Sequence, residues 1–295
     1  MPLHRDMFLA EKNFNPRTIK ALACDLDGTL LKPDKTLSKR TLRAIQSCIE
    51  KDIQIILATG RAAGSGEKYR KQIGITGPHV YFNGAKVVDT GTGKAIYTQY
   101  ADTAPILSCV HLARQMNLFF QVYFPVSATG TDGQNSGEIL MADRKTAEAE
   151  KYEISSGITI ITGDLEEHLV KANAVIKGMF ITPEENHKKI RCTLREQFGQ
   201  SIYIVQSTPI FLEILAGGVS KGTGLVHALN YLNINKEHTI AFGDEENDLP
   251  MFNVAGFSAA PANAKEAVQK AASFHIPSDA EDGVAVFLEE YFVKS

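Results

Sequence analysis

The tripeptide Leu22-Ala23-Cys24 runs without a polar residue straight into Asp25-Leu26-Asp27-Gly28-Thr29. A strand this short and this apolar has to be covered on both faces, which is the situation of a parallel strand between layers of helices. The pattern recurs. Ile53-Gln54-Ile55-Ile56-Leu57-Ala58 ends at Thr59-Gly60-Arg61, and Thr239-Ile240-Ala241-Phe242 ends at Gly243-Asp244-Glu245-Glu246-Asn247-Asp248. Ser38 is placed to cap a helix carrying Leu42, Ile45 and Ile49 on one face, and a second helix is predicted from Ser220 to about Leu232. Strand, helix, strand makes a βαβ unit, and its polar loops lie at the carboxyl edge where open α/β sheets bind ligands.

From about Lys86 to Leu215 the rhythm changes to hairpin-like pairs, such as Lys86 to Asp89 and Lys94 to Thr98 around Thr90-Gly91-Thr92-Gly93. A helix is expected from Thr182-Pro183-Glu184-Glu185, with a capping box between Thr182 and Glu185 and Pro183 at its first position, ending near Gly199. Strands are expected over Ala174 to Ile181, Ser201 to Val205 and Ile210 to Leu215. The 295 residues, about twice a usual domain, therefore divide into a doubly wound, Rossmann-like parallel-sheet core in two pieces, 1–86 and 216–295, and an inserted α+β domain, 87–215. The first 18 residues carry no clear period and read as an arm, either docked on the surface or mobile.

Composition narrows the function classes. The 31 Lys+Arg and 34 Asp+Glu nearly cancel, and no basic stretch is long enough to follow a phosphate backbone, so nucleic acid is not an expected partner. Cys24, Cys48, Cys109 and Cys192 are far apart and form no CxxC pair, which suggests neither zinc nor a disulfide framework; the histidines show no HExxH or HxxxH spacing. No run approaches the roughly 20 apolar residues a membrane span needs, and the N-terminal segment is too acidic for a signal peptide, so a cytoplasmic location is expected. Gly60 to Lys68 lacks the ending of a P-loop, and Thr90-Gly91-Thr92-Gly93-Lys94 belongs to a hairpin, so neither glycine-rich stretch is a nucleotide fingerprint.

Three strand ends thus present Asp25 and Asp27, Thr59, and Asp244, Asn247 and Asp248 to one crevice. Clustered carboxylates repel unless a cation intervenes, and all-oxygen ligation favours a hard ion such as Mg²⁺. A phosphoryl group would complete its shell, with Lys221 as a point charge and the Thr59 hydroxyl and Gly60 N–H as neutral donors. The ordered set Asp25-Leu26-Asp27-Gly28-Thr29-Leu30, Thr59-Gly60-Arg61, Lys221-Gly222 and Gly243-Asp244-Glu245-Glu246-Asn247-Asp248 resembles the four motifs of the haloacid dehalogenase superfamily. Asn83-Gly84-Ala85 before the insertion and Val219-Ser220-Lys221-Gly222 after it resemble the Cof-type subfamily, whose inserted domain is a C2B cap. Pro261-Ala262-Asn263-Ala264 departs from that family, which usually has Gly-Asn-Ala there.

The resemblance implies a Mg²⁺-dependent phosphatase acting on small phosphorylated metabolites, of the sugar phosphate, pyridoxal phosphate or FMN class. It implies Asp25 as nucleophile forming an aspartyl-phosphate, and Asp27 as general acid and then base, a role for which a raised pKa is expected. Mg²⁺ would be held by Asp25, Asp244 and the Asp27 carbonyl. Thr59, Gly60, Lys221, Asn247 and the Leu26 N–H would hold the phosphoryl oxygens, and Asp248 would orient Lys221 or a metal-bound water. Glu245 and Glu246 are left out of the metal shell. The alternatives are a phosphomutase and a catalytically silent binding or regulatory module; a monomer or homodimer is expected. Cys24 reads as a packed thiol, and Phe120, Tyr123 and Phe124 as an apolar core strand rather than a ring-binding set.

Overall fold

A computed structural model describes residues 14–126, 137–172 and 174–294. It divides into two compact units: residues 1–60, 66–97 and 220–295, and residues 61–65 and 98–219. Residues 1–13 of the expected arm lie outside the described part. The arm's described end is docked, with Phe14 edge-on to Phe257, Phe274 and Tyr291 at 5.0–5.1 Å between ring centroids.

In the first unit β1 (Ala21–Cys24), β2 (Gln54–Leu57), β12 (Thr239–Phe242), β13 (Phe257–Pro261) and β14 (Phe274–Ile276) form one parallel sheet in the order β14-β13-β12-β1-β2. Alternation along β1 sends Leu22 and Cys24 to one face and Ala21 and Ala23 to the other. The larger side chains meet Ala44, Ile45 and Cys48 of α1 (Lys39–Ile49), with Leu42 and Ile49 half-buried beside them, and Val284, Phe287 and Leu288 of a C-terminal helix (Gly283–Leu288). The alanine face is covered by Leu225, Ala228 and Leu229 of the helix Lys221–Leu232. Small residues on that face let the helix sit close. Ser38 caps α1 by accepting from the Thr41 N–H at 2.9 Å.

A three-stranded sheet, β3 (Pro78–Tyr81), β4 (Lys86–Asp89) and β5 (Lys94–Thr98), completes this unit. The unit boundaries fall at 97/98 and 219/220, whereas the sequence pattern put them at 86/87 and 215/216. The difference has a physical cause: β4 pairs antiparallel with β3 from Pro78↔Asp89 to Tyr81↔Lys86, which ties the hairpin to the first unit.

The second unit is a six-stranded mixed sheet of β6 (Phe119–Pro125), β7 (Glu138–Ala142), β8 (Ile160–Thr162), β9 (Lys177–Ile181), β10 (Ile202–Thr208) and β11 (Phe211–Ala216), in the order β10-β11-β9-β6-β7-β8. All pairs are antiparallel except β7 with β8. Phe120, Tyr123 and Phe124 are all buried in it. The expected helix start at Thr182 is not formed. Pro183 is extended at ψ 147°, Glu184–Asn186 make one 3₁₀ turn, and the helix runs over His187–Phe198. The Thr182 hydroxyl is engaged instead by Asn186 Nδ2 at 2.8 Å. Among the described residues no helix is long and apolar enough to cross a membrane.

Candidate active site

Because β1, β2 and β12 run parallel, their carboxyl ends open on the same edge of the sheet, and the chain leaves each end at a polar residue. Asp25 follows β1 directly, Thr59 follows the Ala58 bridge to Val80, and Gly243-Asp244 follow β12. Lys221 enters as the first residue of its helix, set there by a reciprocal cap: Ser220 Oγ accepts from the Thr223 N–H at 3.1 Å and Thr223 Oγ1 accepts from the Ser220 N–H at 2.9 Å.

These placements bring Asp25, Asp244 and Asp248, all buried, within 4.8 Å of one another through their carboxylate oxygens. Lys221 Nζ donates to Asp25 Oδ1 and to Asp248 Oδ1, each at 2.6 Å. Asp248 Oδ2 accepts from the Asp244 and Glu245 N–H groups at 3.0 and 3.1 Å. With both its oxygens engaged, Asp248 holds Lys221 and the loop; Asp25 and Asp244 are the carboxylates better disposed toward a cation. Asp244 Oδ1 also accepts from Thr29 Oγ1 at 2.9 Å. Gly28, at φ 85°, is required beside it: a Cβ there would lie 2.2 Å from Asp244 Oδ2. Glu245 pairs with Lys265 at 2.9 Å and Glu246 faces solvent, so neither joins the cluster.

Burial pushes the Asp25 carboxyl up, the Lys221 ammonium partly opposes this, and the Asp248 and Asp27 charges add to it. Burial likewise raises Asp244, reinforced by Asp25 and Asp248. For Lys221, burial pulls downward, but Asp248 and Asp25 more than reverse it and keep the ammonium charged. Two carboxyls that resist ionisation beside a single fixed cation make a donor set that fits a hard divalent ion. The Cys24 thiol, next to Asp25, is raised by burial and is inert packing.

A second cluster gathers around Thr59 and Gly60. The Thr59 carbonyl accepts from the Asn83 N–H at 3.0 Å, and Asn83 Oδ1 accepts from Asn247 Nδ2 at 2.9 Å. A Cβ at Gly60 would sit 3.1 Å from the Asn83 amide atoms. Phe82 and Asn83 both hold left-handed backbones, at φ 51° and 52°, and both are fully buried. Gly84 follows at φ 101°, where a Cβ would lie 1.9 Å from the Ser220 carbonyl oxygen. This turn therefore touches the Thr59-Gly60 loop, the loop of Asn247 and the start of the Lys221 helix. Asn83, in the sequence only a mark of the subfamily resemblance, is brought by this turn to Asn247, and Thr29 and Lys35, which the sequence pattern did not single out, contact Asp244 and Asp27. The one available signal was that Asn83-Gly84 directly follows an apolar strand.

The Asp27 carboxyl takes another direction. Its Oδ1 pairs with Lys35 Nζ at 2.9 Å, a cation that the sequence pattern did not single out. Leu26 is fully buried, its carbonyl accepting from the Leu30 and Leu31 N–H groups at 3.1 and 2.8 Å, which curls the loop after β1. At the family departure, Pro261 ends β13, and Asn263 bridges the Gly28 carbonyl at 2.8 Å and the Asp279 N–H at 2.9 Å. The proline thus leaves intact a tie between that loop and the loop after β1.

Residues 22–288 match the sequence profile of the haloacid dehalogenase-like hydrolases. A 5-amino-6-(5-phospho-D-ribitylamino)uracil phosphatase of Bacillus subtilis, YitU, is 32% identical over 276 residues, 92% of this chain and 97% of that one. Among solved structures, a haloacid dehalogenase-like hydrolase from Bacteroides thetaiotaomicron superposes with a TM-score of 0.80 at 24% identity, over 93% of this chain and all of that one. A protein from Thermotoga maritima does so at 0.77 and 27%, over 92% and 97%.

Proposed function

The chain belongs to the haloacid dehalogenase-like hydrolases and is a phosphatase, and from that premise we propose that it hydrolyses small phosphorylated metabolites with Mg²⁺ through an aspartyl-phosphate on Asp25. The observation that carries this reading is the Lys221 ammonium held at 2.6 Å from both Asp25 and Asp248, with Asp244 alongside. Asp25 attacks phosphorus in line with the leaving oxygen, so that one hard hydrolysis becomes two displacements. Lys221 offsets the repulsion between a carboxylate and a phosphate anion, and the Asn247 amide, the Thr59 hydroxyl and the Gly60 and Leu26 N–H groups take the transferring oxygens. Asp27 protonates the leaving oxygen and then withdraws a proton from the water that cleaves the acyl phosphate. The Asp25 and Asp244 carboxylates and the Asp27 carbonyl would hold Mg²⁺, which when bound would neutralise charge on the phosphoryl group.

Relatedness supports the proposed substrate class. The Bacillus subtilis relative is named for an ester on a ribityl chain bearing a pyrimidine, a phosphate monoester of a small metabolite, as sugar, pyridoxal and flavin phosphates are. A phosphate-release panel over sugar phosphates, that ribitylaminouracil phosphate, pyridoxal phosphate, FMN and nucleotides, ranked by kcat/KM, tests this reading. Turnover should vanish with EDTA and return with Mg²⁺. Asp25→Asn should lower kcat by at least about a thousandfold while the protein stays folded. Hydrolysis retained in Asp25→Asn would overturn the covalent route, and zero release across the panel would overturn the phosphatase assignment of this site.

A further inference from the structure

Asn263 is exposed, yet both ends of its amide are engaged by main chain from two distant parts of the first unit. Its Nδ2 donates to the Gly28 carbonyl at 2.8 Å, and its Oδ1 accepts from the Asp279 N–H at 2.9 Å. A carbonyl on one side and an N–H on the other admit only this orientation of the amide, and an aspartate in its place would turn an oxygen toward the Gly28 carbonyl. The backbone that carries Asn263 is itself tied down. The Pro261 carbonyl accepts from the Ala264 N–H at 2.9 Å and from Gln269 Nε2, and the Lys265 N–H donates to the Asp244 carbonyl at 3.0 Å. One short loop, 261–265, therefore grips the segment after Asp27 through a side chain and the segment of Asp244 through main chain.

Gly28 needs such a grip. At φ 85° it has no Cβ to restrict it, so rotation of the peptide that joins it to Thr29 costs little unless its carbonyl is pinned. Thr29 rides on that peptide, and its hydroxyl donates to Asp244 Oδ1 at 2.9 Å. Contacts thus run from the Asn263 amide to the Gly28 carbonyl, along one peptide to the Thr29 hydroxyl, and from there to the Asp244 carboxylate. We propose that Asn263 is a positioning residue for the divalent cation: by pinning the Gly28–Thr29 peptide it keeps the Thr29 hydroxyl on Asp244 Oδ1, and so holds that carboxylate in place before the ion arrives. This rests on the reading of Asp25 and Asp244 as Mg²⁺ ligands, and it names a residue outside both acidic loops on which the affinity of their site depends. A carboxylate already oriented gives up less freedom when the ion binds, so the effect falls on affinity. The two Asn263 bonds add little to the stability of the fold, because at an exposed residue water replaces them at small cost. Metal affinity and fold stability therefore separate.

Calorimetric titration of Mg²⁺ into the metal-free protein reads that affinity without turnover. Asn263→Ala is expected to weaken Mg²⁺ binding about fivefold, with the metal-free Tm within about 3 °C of wild type. In hydrolysis of p-nitrophenyl phosphate the Mg²⁺ concentration giving half the maximal rate should rise by the same factor, while kcat at saturating Mg²⁺ stays within about twofold. A double-mutant cycle tests the route. Thr29→Val removes the hydroxyl that reaches Asp244, and in that background Asn263→Ala should change the Mg²⁺ Kd by less than about twofold. Three results would each overturn the role of Asn263: a loss of Mg²⁺ affinity below about twofold in Asn263→Ala, a metal-free Tm lowered by more than about 3 °C in that variant, and a loss that persists undiminished in Thr29→Val. A wild-type protein that takes up no Mg²⁺ removes the metal reading itself, and this proposal with it.

Discussion

At the scale of single residues, His79 shows how burial fixes a charge state. It lies fully buried on β3, its Nδ1 accepting from the Leu57 N–H at 3.2 Å, and burial, with Arg70 adding to it, pulls its pKa down to about 3. Folding therefore holds it neutral. An unfolded histidine takes its proton near pH 6.5, so between there and about 3 the unfolded state binds more protons than the folded one. The sign follows: this stability is complete above the unfolded value and is lost as pH falls through the window, by at most about 1.4 kcal/mol per pH unit. Urea unfolding at pH 7, 6, 5 and 4 should show that decline, and His79→Gln should make it shallower. Residue chemistry was also the scale most legible in the sequence. Asp25, Lys221, Asp244 and Asp248 meet because each stands at a strand end or helix start that apolar runs and serine caps mark out. Asn83 and Lys35 were not legible, because the sign of φ and the partner of a side chain are set by tertiary contact.

At the scale of elements, the turn Phe82-Asn83-Gly84 does more than end a strand. Two successive left-handed residues without a glycine at either place cost roughly 1–2 kcal/mol each, which the surrounding contacts must hold in place. Asn83→Gly should recover part of that strain and hold or slightly raise Tm. It also takes away the acceptor that orients the Asn247 amide at 2.9 Å. The expected outcome is an enzyme as stable as before that binds phosphate worse, with KM and the inhibition constant of inorganic phosphate both raised about tenfold; unchanged constants would sink the link. Element boundaries were legible where capping was local, as at Ser38 and Ser220. At Thr182 the sequence held the letters of a capping box, but Pro183 takes an extended backbone and Asn186 occupies the threonine hydroxyl. The hairpin of β4 and β5 misled for a related reason: its turn is written in Thr90-Gly91-Thr92-Gly93, while its membership depends on β3, which pairs with it.

At the scale of the molecule, the candidate site draws on residues 25–35, 59–60, 83–84, 220–222 and 243–248, and every one of these belongs to the first unit, although more than a hundred residues of the second unit separate the third of these segments from the fourth. Three carboxyl groups cluster there and the Lys221 ammonium pairs with two of them, Asp25 and Asp248, so acidic groups outnumber the fixed positive charge. Ligands that bind only the folded state raise its stability. Thermal unfolding should shift upward with millimolar Mg²⁺ in the wild type, and Asp244→Asn should lose most of that shift while its metal-free Tm stays equal or rises, because one repelling charge is gone. A wild-type Tm indifferent to Mg²⁺ would count against the donor set.

Lys221 and Lys177 share a property that matters to a reagent rather than to a substrate. Each is about 2% exposed and locked to carboxylates, Lys221 to Asp25 and Asp248 in the first unit, Lys177 to Glu213 at 2.9 Å in the second. An amine-acylating label should modify the exposed lysines within minutes and reach these two only when the fold around them opens. Followed by peptide mass, acylation of Lys221 and of Lys177 becomes a pair of independent clocks, one timing the opening of each unit of the native protein.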